Sequence, residues 1–159
     1  MKLNKIKLHK KTGHWPMSNP DTNKDIADEM VRVMRANKGI GLAANQVGMG
    51  NSLFVMEVDG VVRHCFNPHI FKEGVRQETM KEGCLSYPGQ YVELSRTENI
   101  TVDYQDHAGN AVTEELTGLA SRVYQHELDH LRGITMLDRQ VQKLKASEVV
   151  DKILSERQD

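Results

Sequence analysis

The spacing of apolar residues changes along the chain and predicts a helix near the N-terminus. Between Asp21 or Thr22, the candidate N-caps, and about Asn37, apolar side chains recur every three or four residues. Gly39 is the expected end of this helix. The lysine-rich segment before it, residues 2–8, is short and is predicted to form an edge strand or a loose arm.

A run of short segments rich in Val follows and predicts strands. Asp59-Gly60 is typical of a hairpin turn between the first two segments, and Ala108-Gly109-Asn110 plays a similar part between the last two. The predicted strands are SLFVMEV (52–58), VVRHCF (61–66), YVEL (91–94), NITVDY (99–104) and AVTEEL (111–116).

Two further helices close the pattern. The second is predicted from Thr117 or Gly118 through Leu131, ended by Gly133, and the third from near Val141 almost to the end. The order of helix, many strands and then helices is typical of an α+β fold. We expect mixed or antiparallel β-sheets packed around a central helix, with an N-terminal helix and a short C-terminal helix.

Length and composition favour one soluble domain over residues 1–159. Hydrophobic residues make up 38% of the chain and charged residues 27%, well away from disordered sequences. The net charge of -1 gives no reason to expect a nucleic-acid partner. The longest uncharged stretch, residues 39–56, is too polar to span a membrane. Two cysteines without a secretion signal indicate a reducing compartment, so we expect a cytoplasmic protein without a disulfide.

The strongest local signal for chemistry is the sequence His126-Glu127-Leu128-Asp129-His130. On a helix, positions i and i+4 project from one face, so both histidines can bind one metal ion. Glu127 lies about 100° round the helix from His126, which suits a general base acting on water at the metal. A chance occurrence of this motif is the alternative, and the apolar positions around it favour an ordered helix instead.

The third metal ligand has three candidates, because catalytic zinc and iron sites use three protein ligands and keep an open position. One protease class places a third His where this chain has Met136. A second class uses a later Glu, for which Glu148 is the only plausible choice. The third candidate is Cys84, which we predict to lie on a turn and to bind as a thiolate. Taken alone, Cys84 could equally be a small buried core residue, as we predict for Cys65.

A second stretch of interest is rich in small residues, GIGLAANQVG at 39–48. It lacks the glycine spacing and the lysine of a phosphate loop, which argues against nucleotide binding. Small residues allow close approach of neighbouring groups or of a bound peptide. Gln46 offers amide donors that suit an oxyanion, although a structural amide is the simpler interpretation of this residue alone.

Taken together, three stretches resemble the motifs of the peptide deformylase family, in the same order and at similar separations. They are GIGLAANQ (39–46), EGCLS (82–86) and QHELDH (125–130). The resemblance extends from about residue 21 to 140. It implies that Cys84, His126 and His130 bind the metal and that Glu127 is the general acid/base. It also implies an oxyanion hole made by Gln46 and the backbone N–H of Leu85.

The resemblance further implies a reaction. The family removes the N-formyl group from the initiator methionine of nascent chains at the ribosome and releases formate. Hydroxide at the metal, usually ferrous iron but also zinc, nickel or cobalt, attacks the formyl carbon. We expect the substrate backbone to pair with residues around Ile40, Gly41 and Gly83. The methionine pocket would use Ile40, Leu119, Val123 and the ring of His126. We expect the enzyme to be a monomer.

Some features depart from the family pattern. Residues 9–20 look different from the usual N-terminal stretch, Tyr91 stands where some members have Arg, and Arg122 stands where many have an apolar residue. Arg122 is expected to extend past the pocket or to pair with an acid such as Glu82. The alternative functions are a zinc protease that cleaves internal peptide bonds, and a metal-stabilised binding protein without activity.

Overall fold

The computed structural model of the chain describes Met1 and residues 10–156, and the predicted arm at residues 2–8 lies outside them. Three α-helices, seven strands and one short 3₁₀-helix form the described part of the chain. In chain order the elements are α1 (Pro20–Ala36), β1 (Gly41–Ala43), the 3₁₀-helix (Ala44–Val47), β2 (Leu53–Val58), β3 (Val61–Glu73), β4 (Gln77–Cys84), β5 (Tyr87–Thr97), β6 (Asn99–Gln105), β7 (Ala111–Thr117), α2 (Gly118–Leu131) and α3 (Met136–Glu156).

The strands form two antiparallel sheets. Five of them pair in the order β1-β2-β3-β6-β7, while β4 and β5 pair only with each other. The larger sheet is built from hairpins, including the predicted Asp59-Gly60 turn, where both residues have positive φ as this turn requires. The small β4–β5 sheet is therefore a separate unit that other elements must hold in place.

The larger sheet is covered on both faces at β1 and β2, where α1 and α2 pack against it, which explains the nearly continuous burial of β2. Successive side chains of a strand point to opposite faces. Phe54 joins the core cluster that contains Tyr124 of α2, with the two rings edge to face at 4.9 Å. Val55 joins the second cluster, which contains Met30 of α1. Every residue of α2 from 121 to 131 is buried, so this helix lies at the centre of the fold. The predicted α+β fold around the motif-bearing helix is confirmed.

The N-terminal helix is confirmed, but its ends differ from the prediction. The N-cap is Asn19 and not Asp21 or Thr22, because the Asn19 side chain accepts a hydrogen bond from Thr22 N (3.1 Å) and Pro20 suits the first helical position. At the other end, Lys38 and not Gly39 takes the left-handed conformation (φ 58°). The backbone N–H of Gly39 then donates to Met34 O, which satisfies one of the last helical carbonyls.

The small sheet was predicted only in part. Strand β5 begins at Tyr87, four residues before the predicted start, and the whole of β4 was missed. The reason is that Glu82 is the one fully buried residue of β4, whose other side chains are at least partly exposed. A strand with so little apolar alternation does not show the pattern on which sequence-based prediction depends.

The C-terminal helix is confirmed and begins earlier than predicted, at Met136, for a length of 21 residues. Reciprocal hydrogen bonds between Thr135 and Asp138 close its first turn, as in a capping box. Met136 is buried against Val92 and Leu94 of β5, so α3 covers the small sheet. No helix in the described part of the chain is long and apolar enough to cross a membrane.

Candidate functional site

Two different elements bring three potential metal ligands together. His126 and His130 project from one face of α2, and Cys84 ends strand β4. The Sγ of Cys84 lies 3.3 Å from Nε2 of His130, which is 3.1 Å from Nε2 of His126. All three donor atoms lie within 4.8 Å of one another. The helix geometry expected for the two histidines is therefore present, with the thiol facing them from the small sheet.

Cys84 was predicted to lie on a turn, and this is wrong. It is the last residue of β4. Pairing between β4 and β5 shifts at this point, from Gly83 opposite Tyr91 to Cys84 opposite Tyr87. Such an irregularity redirects a side chain at the end of a strand. Both cysteines are free thiols, and Cys65 is a fully buried core residue as predicted.

A buried carboxylate orients one of the two histidines. Glu82 Oε1 lies 2.9 Å from Nδ1 of His126, and Glu82 also accepts hydrogen bonds from Arg96 and Arg122. Burial opposes its ionisation, but the hydrogen bonds from His126 and Arg96 outweigh this and lower the pKa of Glu82 to about 2. An ionised carboxylate only accepts hydrogen bonds, so Nδ1 of His126 carries a proton, and Nε2 is the ring nitrogen that faces the cluster.

Glu127 lies beside the three donor atoms without joining them. Its carboxyl is buried, and Oε1 is 4.0 Å from Nε2 of His126. Burial raises the pKa of Glu127 to about 7, against the charges of His126 and Arg96. A carboxyl group whose pKa lies near neutrality can both take up and release a proton. Its position and environment suit the predicted general acid/base.

The two ends of the Gln46 side-chain amide face different surroundings. Its Oε1 accepts a hydrogen bond from the backbone N–H of Ala43 (2.9 Å), which caps the 3₁₀-helix. Its Nε2 donates to Ser86 Oγ at 3.0 Å and lies 3.6 Å from Cys84 Sγ. One end of the amide therefore holds the backbone, and the other end faces the cluster as a donor.

A cavity of about 780 Å³ opens onto this cluster. Leu85, Gln46, Cys84, His126 and Glu127 all line it, whereas His130 lies fully buried behind. The predicted substrate-binding residues line the same cavity, with the exposed Tyr91 at its edge; they are Ile40, Gly41, Gly83, Leu119 and Val123.

The donor set fits one divalent metal ion. A thiolate and two imidazole nitrogens form a three-ligand set of the kind that leaves a position open for water or substrate. The Glu82 carboxylate behind His126 is the second partner that such a histidine normally has. Glu127 Oε2 is a buried oxygen with no hydrogen-bond partner among the described residues, directly beside the cluster. A polar group in that position suits contact with a water molecule held at the metal.

Some of these residues carry a role that the sequence did not reveal. Glu82 was considered only as a partner for Arg122, a pairing that the structure confirms, and its contact with His126 was not foreseen. Arg96 and Ser86 were not singled out at all. Arg96 is a buried cation within a strand, and burial of this kind depends on contacts far apart in the chain. A buried charge needs a partner, but the sequence does not tell which one.

Comparison with known proteins identifies the family of the chain. Residues 1–146 match the family described as Polypeptide deformylase. The chain is 42% identical over 125 residues to the peptide deformylase of Thermotoga sp. (strain RQ2), a match that covers 78% of this chain and 76% of the relative. The chain belongs to the peptide deformylase family. The crystal structure of peptide deformylase from Thermotoga maritima is 40% identical with a TM-score of 0.79, covering 82% of this chain and 88% of that one.

A second solved peptide deformylase is similar as well. The PDF from the Vibrio parahaemolyticus bacteriophage VP16T, solved in complex with actinonin, has a TM-score of 0.80 and 34% identity, covering 86% of this chain and all of that chain. Membership of the peptide deformylase family disfavours the protease alternative, and so do its two candidate ligands. Met136 is buried in the core of the small sheet, and Glu148 is exposed on α3.

Proposed function

We propose that this chain is a metal-dependent peptide deformylase in which Cys84, His126 and His130 hold the metal ion. The reaction is removal of the N-formyl group from the initiator methionine of nascent polypeptides, with release of formate. One observation carries the proposal. Within 4.8 Å, a thiol from β4 meets two imidazoles from α2, and Glu127 lies directly beside them at the cavity.

Ferrous iron is the metal that we propose for the cell, and zinc, nickel or cobalt can occupy the same donor set. Imidazole nitrogen suits all of these ions. When bound, the ion supplies Lewis-acid chemistry, because it polarises an oxygen ligand and lowers the pKa of water. The donor set alone does not select among these ions, so the choice of iron rests on the family resemblance. Metal analysis of protein purified without air tests it.

The residues of the chain divide the remaining work. We propose that Glu127 takes a proton from the attacking water, which adds to the formyl carbon. Gln46 Nε2 and the backbone N–H of Leu85 donate hydrogen bonds to the oxygen that becomes negatively charged; one such donor is typically worth about 3–4 kcal/mol. The C–N bond then breaks, Glu127 delivers its proton to the leaving amine, and formate departs.

Binding of the substrate uses the rest of the cavity. Backbone groups around Ile40, Gly41 and Gly83 pair with the peptide as an added strand would. The first side chain enters the space next to Leu119 and Val123, beside the ring of His126 and near Ile40. Leu119 and Ile40 are largely exposed and therefore available to an apolar side chain. An unbranched chain such as that of methionine suits an apolar lining of this kind.

Formate release tests the reaction and the role of Glu127 together. The protein is purified anaerobically with ferrous iron and given formyl-Met-Ala, beside Glu127→Ala and Glu127→Gln variants with the same metal content. We expect a loss of about 10²–10⁴-fold in kcat for both variants. Activity that survives in Glu127→Ala would contradict the proposed mechanism. A metal-loaded wild type that releases no formate would favour the alternative function, a metal-stabilised binding protein without activity.

Metal content tests the ligand set separately. Cys84→Ala is expected to lose bound metal during dialysis, because one of three protein ligands is gone. A protease of the alternative class would keep its metal in this variant. Cys65→Ala is the matched control and is expected to keep the metal, since Cys65 is buried in the core and is not one of the clustered donor residues.

We also propose that the chain is a monomeric catalytic domain, residues 1–159, which works in the cytoplasm on chains emerging from the ribosome. The substrate class supports this location, because nascent chains carry the formyl group. Free thiols and a net charge near zero fit a reducing compartment and a protein without a nucleic-acid or membrane partner. Sedimentation analysis and co-pelleting with ribosomes test the oligomeric state and the ribosome contact.

A further inference from the structure

The proposed ligand set is divided between two units of the fold. Cys84 belongs to the small β4–β5 sheet, whereas His126 and His130 belong to α2. This sheet shares no strand pairing with the five-stranded sheet. The distance between the thiol and the two imidazoles therefore depends on how the small sheet is fixed against α2.

Apolar packing fixes the small sheet mainly to a different helix. Its buried residues Val92 and Leu94 form a cluster with Met136 of α3. A core of three buried residues is small, and apolar contact is not directional. A precise position relative to α2 calls for directional contacts.

Glu82 of β4 supplies such contacts, and it is the one fully buried residue of that strand. Its carboxylate accepts hydrogen bonds from His126 Nδ1 (2.9 Å), from Arg96 Nε (2.6 Å) and from Arg122 Nη1 (2.5 Å). Arg96 is shared between the two carboxylates, because its Nη1 also donates to Asp129 of α2 at 2.9 Å. Charge-assisted hydrogen bonds are about twice as strong as neutral ones and fix geometry as well.

Arg122 makes the most direct connection. It lies on α2 one turn before His126, and its side chain is only 6% exposed. Besides Glu82, it donates to Leu94 O of β5 at 3.0 Å and to Glu78 O of β4. A single guanidinium from the helix thus reaches both strands of the small sheet and the carboxylate that orients His126.

We propose that Arg122 is a positioning residue that sets the distance between Cys84 and the two histidines by tying the β4–β5 sheet to α2 through Glu82. This inference rests on the proposed ligand set. Arg122 also lines the cavity, but in this role it is not a metal ligand and acts on the metal site only through other residues. It acts through Glu82 and through two strand carbonyls. We therefore expect its substitution to weaken metal binding more than it disturbs the fold.

The expected size of the effect follows from what remains after substitution. In Arg122→Met, Glu82 keeps Arg96 and His126 as partners, so no isolated charge is buried. What is lost is the directional tie between the helix and the two strands. Loss of a group that supports a metal ligand from behind typically weakens metal binding about 10–100-fold.

Cobalt titration under anaerobic conditions tests the proposal, because a thiolate bound to cobalt(II) gives a charge-transfer band that reports on Cys84 itself. Arg122→Met is compared with wild type and with Arg132→Met. Arg132 is a matched control, an exposed arginine at the end of the same helix with no ion pair or side-chain hydrogen bond in the described part of the chain. We expect Arg122→Met to bind cobalt about 10–100-fold more weakly, with a weaker or shifted band per bound ion.

Arg132→Met is expected to match wild type in both affinity and band. Wild-type cobalt affinity and an unchanged band in Arg122→Met would overturn the proposal, even if the melting temperature fell, since a purely structural role moves only the latter. If Arg122→Met does not fold, Arg122→Lys takes its place. A lysine keeps the charge but cannot reach Glu82 and both carbonyls, so the same loss is expected.

Failure of the proposed function would look different. Wild-type protein without any thiolate band would show that Cys84 is not a ligand. The positioning role of Arg122 would then be rejected together with the proposed ligand set. A wild-type band with formate release, together with an unaffected Arg122→Met, would reject only the positioning role.

Discussion

A single glycine shows how closely the site is packed at the scale of the residue. A Cβ atom added at Gly41 would lie 2.5 Å from Oε1 of Glu127 and 2.9 Å from its Cγ and Cδ. Real Cβ atoms essentially never approach so closely, and the Glu127 carboxyl is buried. Gly41 is therefore a glycine because the proposed general acid/base lies against it, and not because its backbone needs a positive φ.

Substitution of Gly41 is expected to disturb the reaction without removing the metal. In Gly41→Ala the carboxyl of Glu127 must move, and misplacement by about 1 Å costs on the order of 10²-fold in rate. The measurement is kcat for formate release at equal metal content. Gly50→Ala is the control, because a Cβ there meets nothing within 4 Å. Full activity of Gly41→Ala would show that Glu127 tolerates the shift or is not needed.

Gln46 allows its structural and chemical roles to be separated by two measurements. Gln46→Leu leaves the buried N–H of Ala43 without its acceptor, which is expected to cost about 1–3 kcal/mol in the free energy of unfolding. It also removes the Nε2 donor, for which we expect a loss of about 10²–10³-fold in kcat. The free energy of unfolding and kcat are both measured at a temperature well below the melting temperature. Lost stability with unchanged kcat would mean that Gln46 is a structural amide only.

Residues joined by local spacing were the ones that the sequence could identify. His126, Glu127 and His130 lie within five positions, so helix geometry alone relates them. Cys84 required the comparison of alternatives and the family motif, because 46 positions separate it from His130. Glu82, Arg96 and Arg122 form their network only when two strands and a helix meet. A sequence shows that a charge exists, but not that folding will bury it.

At the scale of the element, the prediction succeeded where apolar residues alternate and failed where they do not. Strand β6 of the larger sheet, for example, buries Ile100, Val102 and Tyr104 and leaves the residues between them at least partly exposed. Strand β4, with the sequence QETMKEGC, contributes charge in place of an apolar face. The early start of α3 had a readable signal in Thr135 and Asp138, whose three-residue spacing is that of a capping box.

The contact between α3 and the small sheet leads to a stability prediction. Met136 is 1% exposed and packs on Val92 and Leu94, so Met136→Ala is expected to lower the free energy of unfolding by about 2–5 kcal/mol. Denaturant unfolding measures this. Val150→Ala, an exposed position on the same helix, is expected to change it by less than about 0.5 kcal/mol.

The Met136→Ala variant also tests whether position 136 contributes to metal binding. Because the ligands proposed here are Cys84 and two histidines, folded Met136→Ala is expected to bind metal in the wild-type ratio. Loss of stability together with stoichiometric metal supports a packing role for Met136 in α3. A folded variant without metal would contradict the ligand set and reopen the choice of the third ligand.

At the scale of the whole molecule, the metal ion is expected to act as a cross-link. Its proposed ligands come from the end of β4, in the separate two-stranded sheet, and from α2. Around them, the small sheet has only a limited apolar core of its own, completed by α3. A ligand that binds only the folded state stabilises it by mass action, about 2.7 kcal/mol at a hundred times its dissociation constant.

Removal of the metal is therefore expected to lower the melting temperature of the wild type. A stabilisation of about 3–4 kcal/mol corresponds to about 5–15 °C for a chain of this size. Calorimetry with and without a chelator measures the shift, and restoring the metal should reverse it. Cys84→Ala should melt at the same temperature with or without chelator, because it no longer holds the ion. An equal shift in both proteins would mean that the chelator removes metal from elsewhere, and that Cys84 does not tie the two units together.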